Sequence, residues 1–141
     1  LAAGAGASGA LTGAQAVDEA WRKAVLANDL DAVVACYARD AVLWLPGAPE
    51  AKGHEAIRAA YAALLDANKV TAASFANAHY ETTGEISVGW GEFSLTLTPK
   101  SAGATATVLS GRFTVIARPD RGKWVYVVDH ASSPPSAPTQ H

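Results

Sequence analysis

Two stretches near the end of the chain decide the fold: Ser110-Gly-Arg-Phe-Thr-Val-Ile-Ala-Arg118 and Gly122-Lys-Trp-Val-Tyr-Val-Val-Asp-His-Ala131. Both are rich in β-branched and aromatic residues, which favour strands. The segment between them, Pro119-Asp-Arg-Gly122, is a tight-turn sequence. The two stretches therefore predict an antiparallel hairpin. One of its faces is apolar and carries Phe113, Val115, Trp124, Tyr126 and Val128.

The other face of this hairpin holds an arginine and an aspartate among apolar neighbours. Folding the chain about Pro119–Gly122 sets Arg112 opposite Asp129, and folding about Pro99–Gly103 sets Glu92 opposite Arg112. The sequence thus predicts a cross-strand row of Glu92, Arg112 and Asp129. Two interpretations stay open. Arg112 holds Asp129 ionised as a base or ligand anchor, or the row is a salt-bridge ladder facing solvent or a partner.

The rest of the chain supplies helices first and strands afterwards. Apolar residues at helical spacing predict three helices, the first headed by the capping-box pair Thr12 and Gln15 and the second capped by Asp31. A short strand is predicted at 41–45, and long strands at 70–82, 85–98, 104–118 and 123–131. Gly89 and Gly91 predict a bulge or bend. This order predicts an α+β fold with three N-terminal helices on a strongly curved antiparallel sheet that encloses a pocket.

Composition limits the classes of function. The 141 residues carry a net charge of −2 with scattered basic residues, which argues against nucleic-acid binding. No apolar run approaches the roughly 20 residues that span a bilayer, so no membrane partner is expected. The four histidines and the single Cys36 show no ligand spacing, so we expect no metal and no cofactor. We expect a flexible leader at 1–11, one domain at 12–133 and a disordered Pro-rich tail at 134–141.

The leader leaves the compartment open. Its residues are small, and it lacks the charged and apolar regions of an intact signal peptide. The protein is expected to be cytoplasmic or, if the leader follows a cleaved signal peptide, periplasmic or secreted.

Several segments resemble the nuclear transport factor 2-like superfamily. They include Tyr37-Ala-Arg-Asp-Ala-Val42, Gly53-His-Glu-Ala-Ile-Arg-Ala-Ala-Tyr61 and Asp129-His-Ala-Ser132. The superfamily includes ketosteroid isomerases, SnoaL-type cyclases, limonene epoxide hydrolases and the association domain of calcium/calmodulin-dependent kinase II. The ending of this chain is most similar to a SnoaL-like branch that resembles the association domain. The resemblance implies a cone-shaped domain with an internal pocket, and a homodimer.

The catalytic patterns of these relatives match only in part. The resemblance sets Leu45 where ketosteroid isomerases have their general-base aspartate, and Trp21 where they have an oxyanion-hole tyrosine. Against limonene epoxide hydrolases, Arg112 and Asp129 are kept, but Thr114 replaces a proton-donating aspartate. SnoaL-like cyclases use a histidine and an aspartate. Asp129 and His130 are adjacent here, so they cannot both enter one pocket without a bulge.

Two hypotheses follow, and they share one pocket. The first is a module that binds a small apolar ligand or assembles without catalysis. The second is a small enzyme of cyclase, isomerase or epoxide-hydrolase type. In the second, the candidate catalytic residues are Asp129 as base, Arg112 as its orienting group and His130. The candidate ligand-binding residues are Tyr37, Trp44, Tyr61, Trp90 and Glu92. Because the outer sheet face is rich in apolar residues, we also expect a homodimer through the sheet.

Overall fold

The computed structural model describes residues 10–136, so residues 1–9 of the predicted leader and 137–141 of the predicted tail lie outside the described residues. The α+β fold class is confirmed, and residues 10–136 form three helices and a six-stranded curved sheet. The helices are α1 (Gly13–Leu26), α2 (Leu30–Val34) and α3 (Gly53–Ala67). The strands are β1 (Tyr37–Trp44), β2 (Ala51–Lys52), β3 (Asn68–Thr83), β4 (Ile86–Pro99), β5 (Thr107–Asp120) and β6 (Lys123–Ser132).

The sheet has the order β2-β1-β6-β5-β4-β3 and is antiparallel at every pair except one. Strands β1 and β6 run parallel, with Leu43 beside Asp129 and Trp44 beside His130. The expectation of a wholly antiparallel sheet is wrong at this pair. Most of the chain separates these two strands, so no hairpin fixes their relative direction.

The helices cover one face of the sheet and build the core with it. Helix α1 packs on β3, β5 and β6, while α3 packs mainly on β1. The predicted apolar stripe of α3 is buried at Ile57, Tyr61 and Leu65. The stripe of α1 is buried at Val17 and Trp21, among others. Amphipathic spacing therefore predicted correctly which side of each helix meets the sheet.

Two predicted helix caps are replaced by other contacts. The Thr12 side chain makes no cap hydrogen bond; the Ala14 N–H donates instead to Ser87 Oγ at 2.7 Å, across the core. Asp29 rather than Asp31 caps α2, accepting from the Ala32 N–H at 3.1 Å. A residue distant in sequence thus accepts from one of the first N–H groups of α1, where the predicted cap of Thr12 does not form.

The glycines in β4 make room for neighbours rather than bending their own strand. The pairing of β4 with β5 is continuous, and the bulge lies opposite, in β3 between Ala76 and His79. A Cβ on Gly91 would lie 2.9 Å from Ala78 Cα, so only glycine lets this bulge approach. A Cβ on Gly89 would lie 2.8 Å from the Tyr80 ring.

A bulge in β6 decides which side chains face the helices. The hairpin pairs Ala117 with Tyr126, but the next pair is Ile116 with Val128, so β6 carries one extra residue there. One extra residue moves every later side chain to the opposite face of the sheet. Asp129 therefore shares the helix-covered face with Tyr126, whereas the sequence had placed it on the other side.

The predicted pairing of Arg112 with Asp129 is also wrong, because of this bulge and of the position of the turn. Asp129 pairs with Val115, and Arg112 pairs with Ser132. The turn also sits one residue later than predicted, because Arg121 and Gly122 take φ values of 54° and 80° and form the two-residue loop themselves. The turn and the bulge together shift the register by three residues. The other half of the row, Glu92 opposite Arg112, has the predicted register.

Candidate functional site

A cavity of about 470 Å³ lies between α1, α3 and the concave face of the sheet. Its volume is in the range of about 300–1,000 Å³ typical of small-molecule sites. The walls are mainly apolar and aromatic, including Trp21, Leu45, Phe75, Phe93, Leu95, Leu109, Phe113 and Val115. The polar side chains of its lining are Asp18, Tyr61, Asn68, Tyr126 and Asp129. Polar groups are thus few, and two of them are carboxyl groups.

Asp129 brings one carboxyl group to the cavity from β6, just after the bulge. Its Oδ2 accepts a hydrogen bond from the Tyr37 hydroxyl at 2.5 Å. Burial raises the pKa of Asp129 to about 7; the Tyr37 hydrogen bond opposes this rise, and the nearby charge of Asp18 adds to it. A carboxyl group with such a pKa can both accept and release a proton near neutral pH.

A directed series of hydrogen bonds ends on this carboxyl group. The Trp21 indole N–H, which can only donate, donates to the Tyr61 hydroxyl at 2.9 Å. The Tyr37 and Tyr61 oxygens lie 2.5 Å apart. Because Tyr37 donates its proton to Asp129, Tyr61 must donate to Tyr37. Every hydroxyl proton of the series therefore points toward Asp129 and stabilises its ionised form.

Asp18 brings the second carboxyl group from α1 and is 2% exposed. It accepts hydrogen bonds from the Tyr126 hydroxyl and, at 2.6 Å, from the Tyr80 hydroxyl. The close approach of Tyr80 to Gly89 accompanies this contact. Burial raises the pKa of Asp18 to about 6, and the two tyrosine hydrogen bonds limit the rise.

Sequence reasoning missed Asp18, although a signal for it exists. On α1, Asp18 is four residues after Ala14 and three before Trp21, both of which are buried. It therefore lies on the apolar stripe rather than on the solvent side of the helix. A carboxyl group at such a position must be hydrogen-bonded or protonated, which marks it as a candidate site residue.

The candidate residues of the sequence analysis divide between the two faces of the sheet. Tyr61 lines the cavity, and Tyr37 is buried behind it as the partner of Asp129. Arg112 and Glu92 are exposed and line a separate outer groove, so Arg112 does not orient Asp129. Glu92 accepts a hydrogen bond from the Asn77 side chain at 3.1 Å.

The remaining candidates form two aromatic pairs on the outer face. His130 is exposed and meets Trp44 edge to face, with ring centroids 5.3 Å apart. Trp90 stacks on His79 with a centroid separation of 5.7 Å. Trp44 and Trp90 are 43% and 41% exposed, and neither lines the cavity. The structure thus brings together Asp129, Tyr37 and Tyr61, and separates them from Arg112, His130, Trp44, Trp90 and Glu92.

Other reactive groups add little chemistry to the cavity. Burial raises the pKa of the Cys36 thiol to about 11, which keeps it protonated and unreactive at neutral pH. Between residues 10 and 136, no three His, Cys, Asp or Glu side chains are grouped so that they could hold a metal ion. Over the same span, no helix has the length and apolar character needed to cross a bilayer.

Comparison with known proteins gives the family and the fold. A family model described as a SnoaL-like domain matches residues 17–127, most of the chain. No curated protein matches the sequence significantly.

Solved structures share the fold at low sequence identity. A proposed calcium/calmodulin-dependent protein kinase II association domain from Xanthomonas campestris superposes with a TM-score of 0.76 and 20% identity, over 87% of this chain and 86% of that one. A ketosteroid isomerase-like protein from Erwinia carotovora gives 0.70 and 23%, over 84% and 92%. A proposed dehydratase of the NTF2-like family from Streptomyces avermitilis gives 0.72 and 15%, over 85% and 93%.

Proposed function

Because the chain belongs to the SnoaL-like domain family, we propose that it binds a small apolar molecule in the cavity and transfers a proton with Asp129 as the base. One observation carries this proposal: the Asp129 carboxyl group stands at an apolar cavity, with Tyr37 as its one side-chain hydrogen-bond donor within residues 10–136. The names of two neighbours, a ketosteroid isomerase-like protein and a proposed dehydratase, refer to reactions that move protons.

Each part of the cavity has a role in this reaction. The aromatic walls hold a flat apolar body and keep water from it. Tyr37 fixes Asp129 through Oδ2, which leaves Oδ1 to accept a proton from a C–H or O–H group of the ligand. With a pKa of about 7, Asp129 is ionised often enough at neutral pH to act as a base and basic enough to take the proton. Tyr37 thereby takes the orienting role that the sequence had assigned to Arg112.

A hydrogen–deuterium exchange experiment tests the proposal without a known substrate. A set of flat apolar ketones is incubated with the protein in deuterated water, and exchange at the carbon beside the carbonyl is followed by mass spectrometry. We expect at least one ketone to exchange faster with the wild-type protein than with Asp129→Asn, and the rate to rise with pH through about 7. Asp120→Asn, an exposed site outside the cavity, is the matched control. Equal rates for wild type and Asp129→Asn would overturn the assignment of the base.

Leu45 favours a second candidate function, ligand binding without turnover. By resemblance, this position holds the general base of ketosteroid isomerases, and here it adds an apolar side chain to the cavity lining. In that case, ligands would raise the melting temperature of the protein, and substitutions in the cavity lining would reduce this rise. Hydrogen–deuterium exchange of the ketones would then be the same for wild type and Asp129→Asn.

We also propose that the protein forms a homodimer through the outer face of the sheet. A row of paired residues crosses five strands on this face: His79, Trp90, Thr114, His130 and Trp44. The two tryptophans expose large apolar surfaces, which favours burial against a second copy. We expect a dimeric mass by light scattering at micromolar concentration. Replacing Trp44 and Trp90 by serine should lower that mass, and a monomeric wild-type protein would contradict the proposal.

A further inference from the structure

We propose that the cavity selects its ligand by charge and takes a flat apolar molecule that carries a protonated amine. This inference rests on the proposed function, because it concerns the ligand of the same cavity. The juxtaposition that supports it is a lining that contains the carboxyl groups of Asp18 and Asp129 and, among the residues that the structure describes, no lysine, arginine or histidine.

Among the residues that the structure describes, both charged side chains that line the cavity are negative. Helix α1 contributes Asp18, and β6 contributes Asp129. Among the lining residues of β3, β4 and β5, Asn68 is polar but uncharged, and the others are apolar: Phe75, Phe93, Leu95, Leu109, Phe113 and Val115. The neighbouring titratable groups are the tyrosines at 37, 61, 80 and 126 and the Cys36 thiol. Each is neutral at neutral pH because burial raises its pKa, in the case of Cys36 to about 11.

Among residues 10–136, neither carboxylate has a cationic partner. Asp18 accepts from the hydroxyl groups of Tyr80 and Tyr126, and Asp129 accepts from the hydroxyl group of Tyr37. Ion pairs do occur elsewhere in the part of the chain that the structure describes, at Arg22–Glu19, Arg58–Asp31 and Arg118–Asp40. A positively charged ligand would therefore supply the opposite charge that the described basic side chains do not place beside these two acids.

The walls suit the same ligand. Aromatic rings attract a cation above their faces, and this attraction strengthens where water is excluded. Trp21, Phe75, Phe93 and Phe113 line the cavity together with Tyr61 and Tyr126. A ligand carboxylate would meet the reverse conditions, namely repulsion from both acids and no basic group to pair with. A neutral ligand would be accepted without gaining from either feature.

Three ligands of similar shape and different charge test the proposal: naphthylmethylamine, naphthylmethanol and naphthoate. Their affinities are measured by titration calorimetry at pH 8, where both acids are ionised, and at pH 5, where both are mainly protonated. At pH 8 we expect the amine to bind about tenfold or more tightly than the alcohol, as for a partly buried charge pair. Naphthoate should bind most weakly. At pH 5 the advantage of the amine over the alcohol should largely disappear.

Three variants locate the effect. Asp129→Asn should reduce the preference for the amine over the alcohol at pH 8 by about tenfold, while Asp120→Asn, which is exposed and outside the cavity, should leave it unchanged. Ala63→Trp enlarges an exposed side chain of the cavity lining, so it should weaken binding of all three ligands.

The failures of the two proposals can be told apart. If the alcohol binds as tightly as the amine at pH 8, charge selection is wrong while the binding cavity stands. If none of the three ligands binds, or if Ala63→Trp leaves their binding unchanged, the proposed ligand site is wrong as well. If naphthoate binds best, the inference is reversed.

Discussion

Replacing Asp129 with asparagine should make the protein more stable at pH 8. The carboxyl group has a pKa of 3.8 in its ordinary state and of about 7 in the folded protein. Between these values the folded state keeps a proton that the unfolded state has released. Stability is therefore lost as the pH rises through this window, and the whole loss is reached above about 7.

The magnitude follows from the same two pKa values. At about 1.4 kcal/mol for each pH unit, the window from 3.8 to about 7 corresponds to about 4 kcal/mol. Asparagine removes this cost because it stays neutral, and its amide oxygen can still accept from Tyr37. The pKa of about 7 already includes the effect of the Tyr37 hydrogen bond on the ionised group, so nothing further is subtracted for that bond. We therefore expect a gain of about 4 kcal/mol at pH 8 and of about 1 kcal/mol at pH 4.5.

Urea unfolding followed by tryptophan fluorescence measures the effect. With a slope of about 2 kcal/mol per molar urea, the midpoint of Asp129→Asn should lie about 2 M above that of wild type at pH 8. Asp18 titrates in both proteins, so the difference between them reports Asp129 together with its charge coupling to Asp18. Asp120→Asn, which removes an exposed carboxylate, should keep the wild-type midpoint within about 0.3 M. A variant that is less stable than wild type at pH 8 would refute the reasoning, because it would mean that the ionised group is well solvated or paired.

Two further variants test the network and the packing around the site. Tyr37→Phe removes a hydrogen bond that opposes the raised pKa of Asp129, so the pH midpoint of the Asp129 titration, followed by carbon NMR of the carboxyl group, should move above about 7. A downward shift would contradict the role of the hydroxyl. Gly111→Ala would place a Cβ in steric overlap with the Ser132 carbonyl oxygen, so thermal unfolding should show a loss of about 1–3 kcal/mol in stability. Ser110→Ala should change stability by less than about 0.5 kcal/mol. Equal effects at the two positions would argue against this close contact.

The sequence predicted the elements that depend on local patterns. The stripe of Ile57, Tyr61 and Leu65 predicted the buried side of α3, and the turn residues separated the four long strands at nearly their observed ends. Spacing of this kind reports which side of an element is apolar, and burial then follows from the hydrophobic effect. The parallel pairing of β1 with β6 was not predicted, because no local sequence pattern indicates which distant strand a given strand will pair with.

The candidate site was harder to predict because it depends on one residue. Asp129 was chosen for the right reason, as a charge among apolar neighbours, but the partner assigned to it was wrong. The extra residue between Tyr126 and Val128 moves Asp129 into the cavity and leaves Arg112 on the outer face. Nothing in the run of alternating apolar residues distinguishes a bulged strand from a regular one, since valines stand at both 127 and 128.

The position of the two acids argues that the cavity is kept for function rather than for stability. Asp18 and Asp129 both have raised pKa values, so each is costly to keep ionised in the folded protein at neutral pH. The tyrosine hydroxyl groups around them reduce this cost without removing it, and an apolar side chain at either position would avoid it. Folding alone gives no reason to hold two such groups against one apolar cavity. A ligand that exchanges a proton with these acids, or that carries a positive charge, does give such a reason. Its reaction or its binding would depend on the two carboxyl groups.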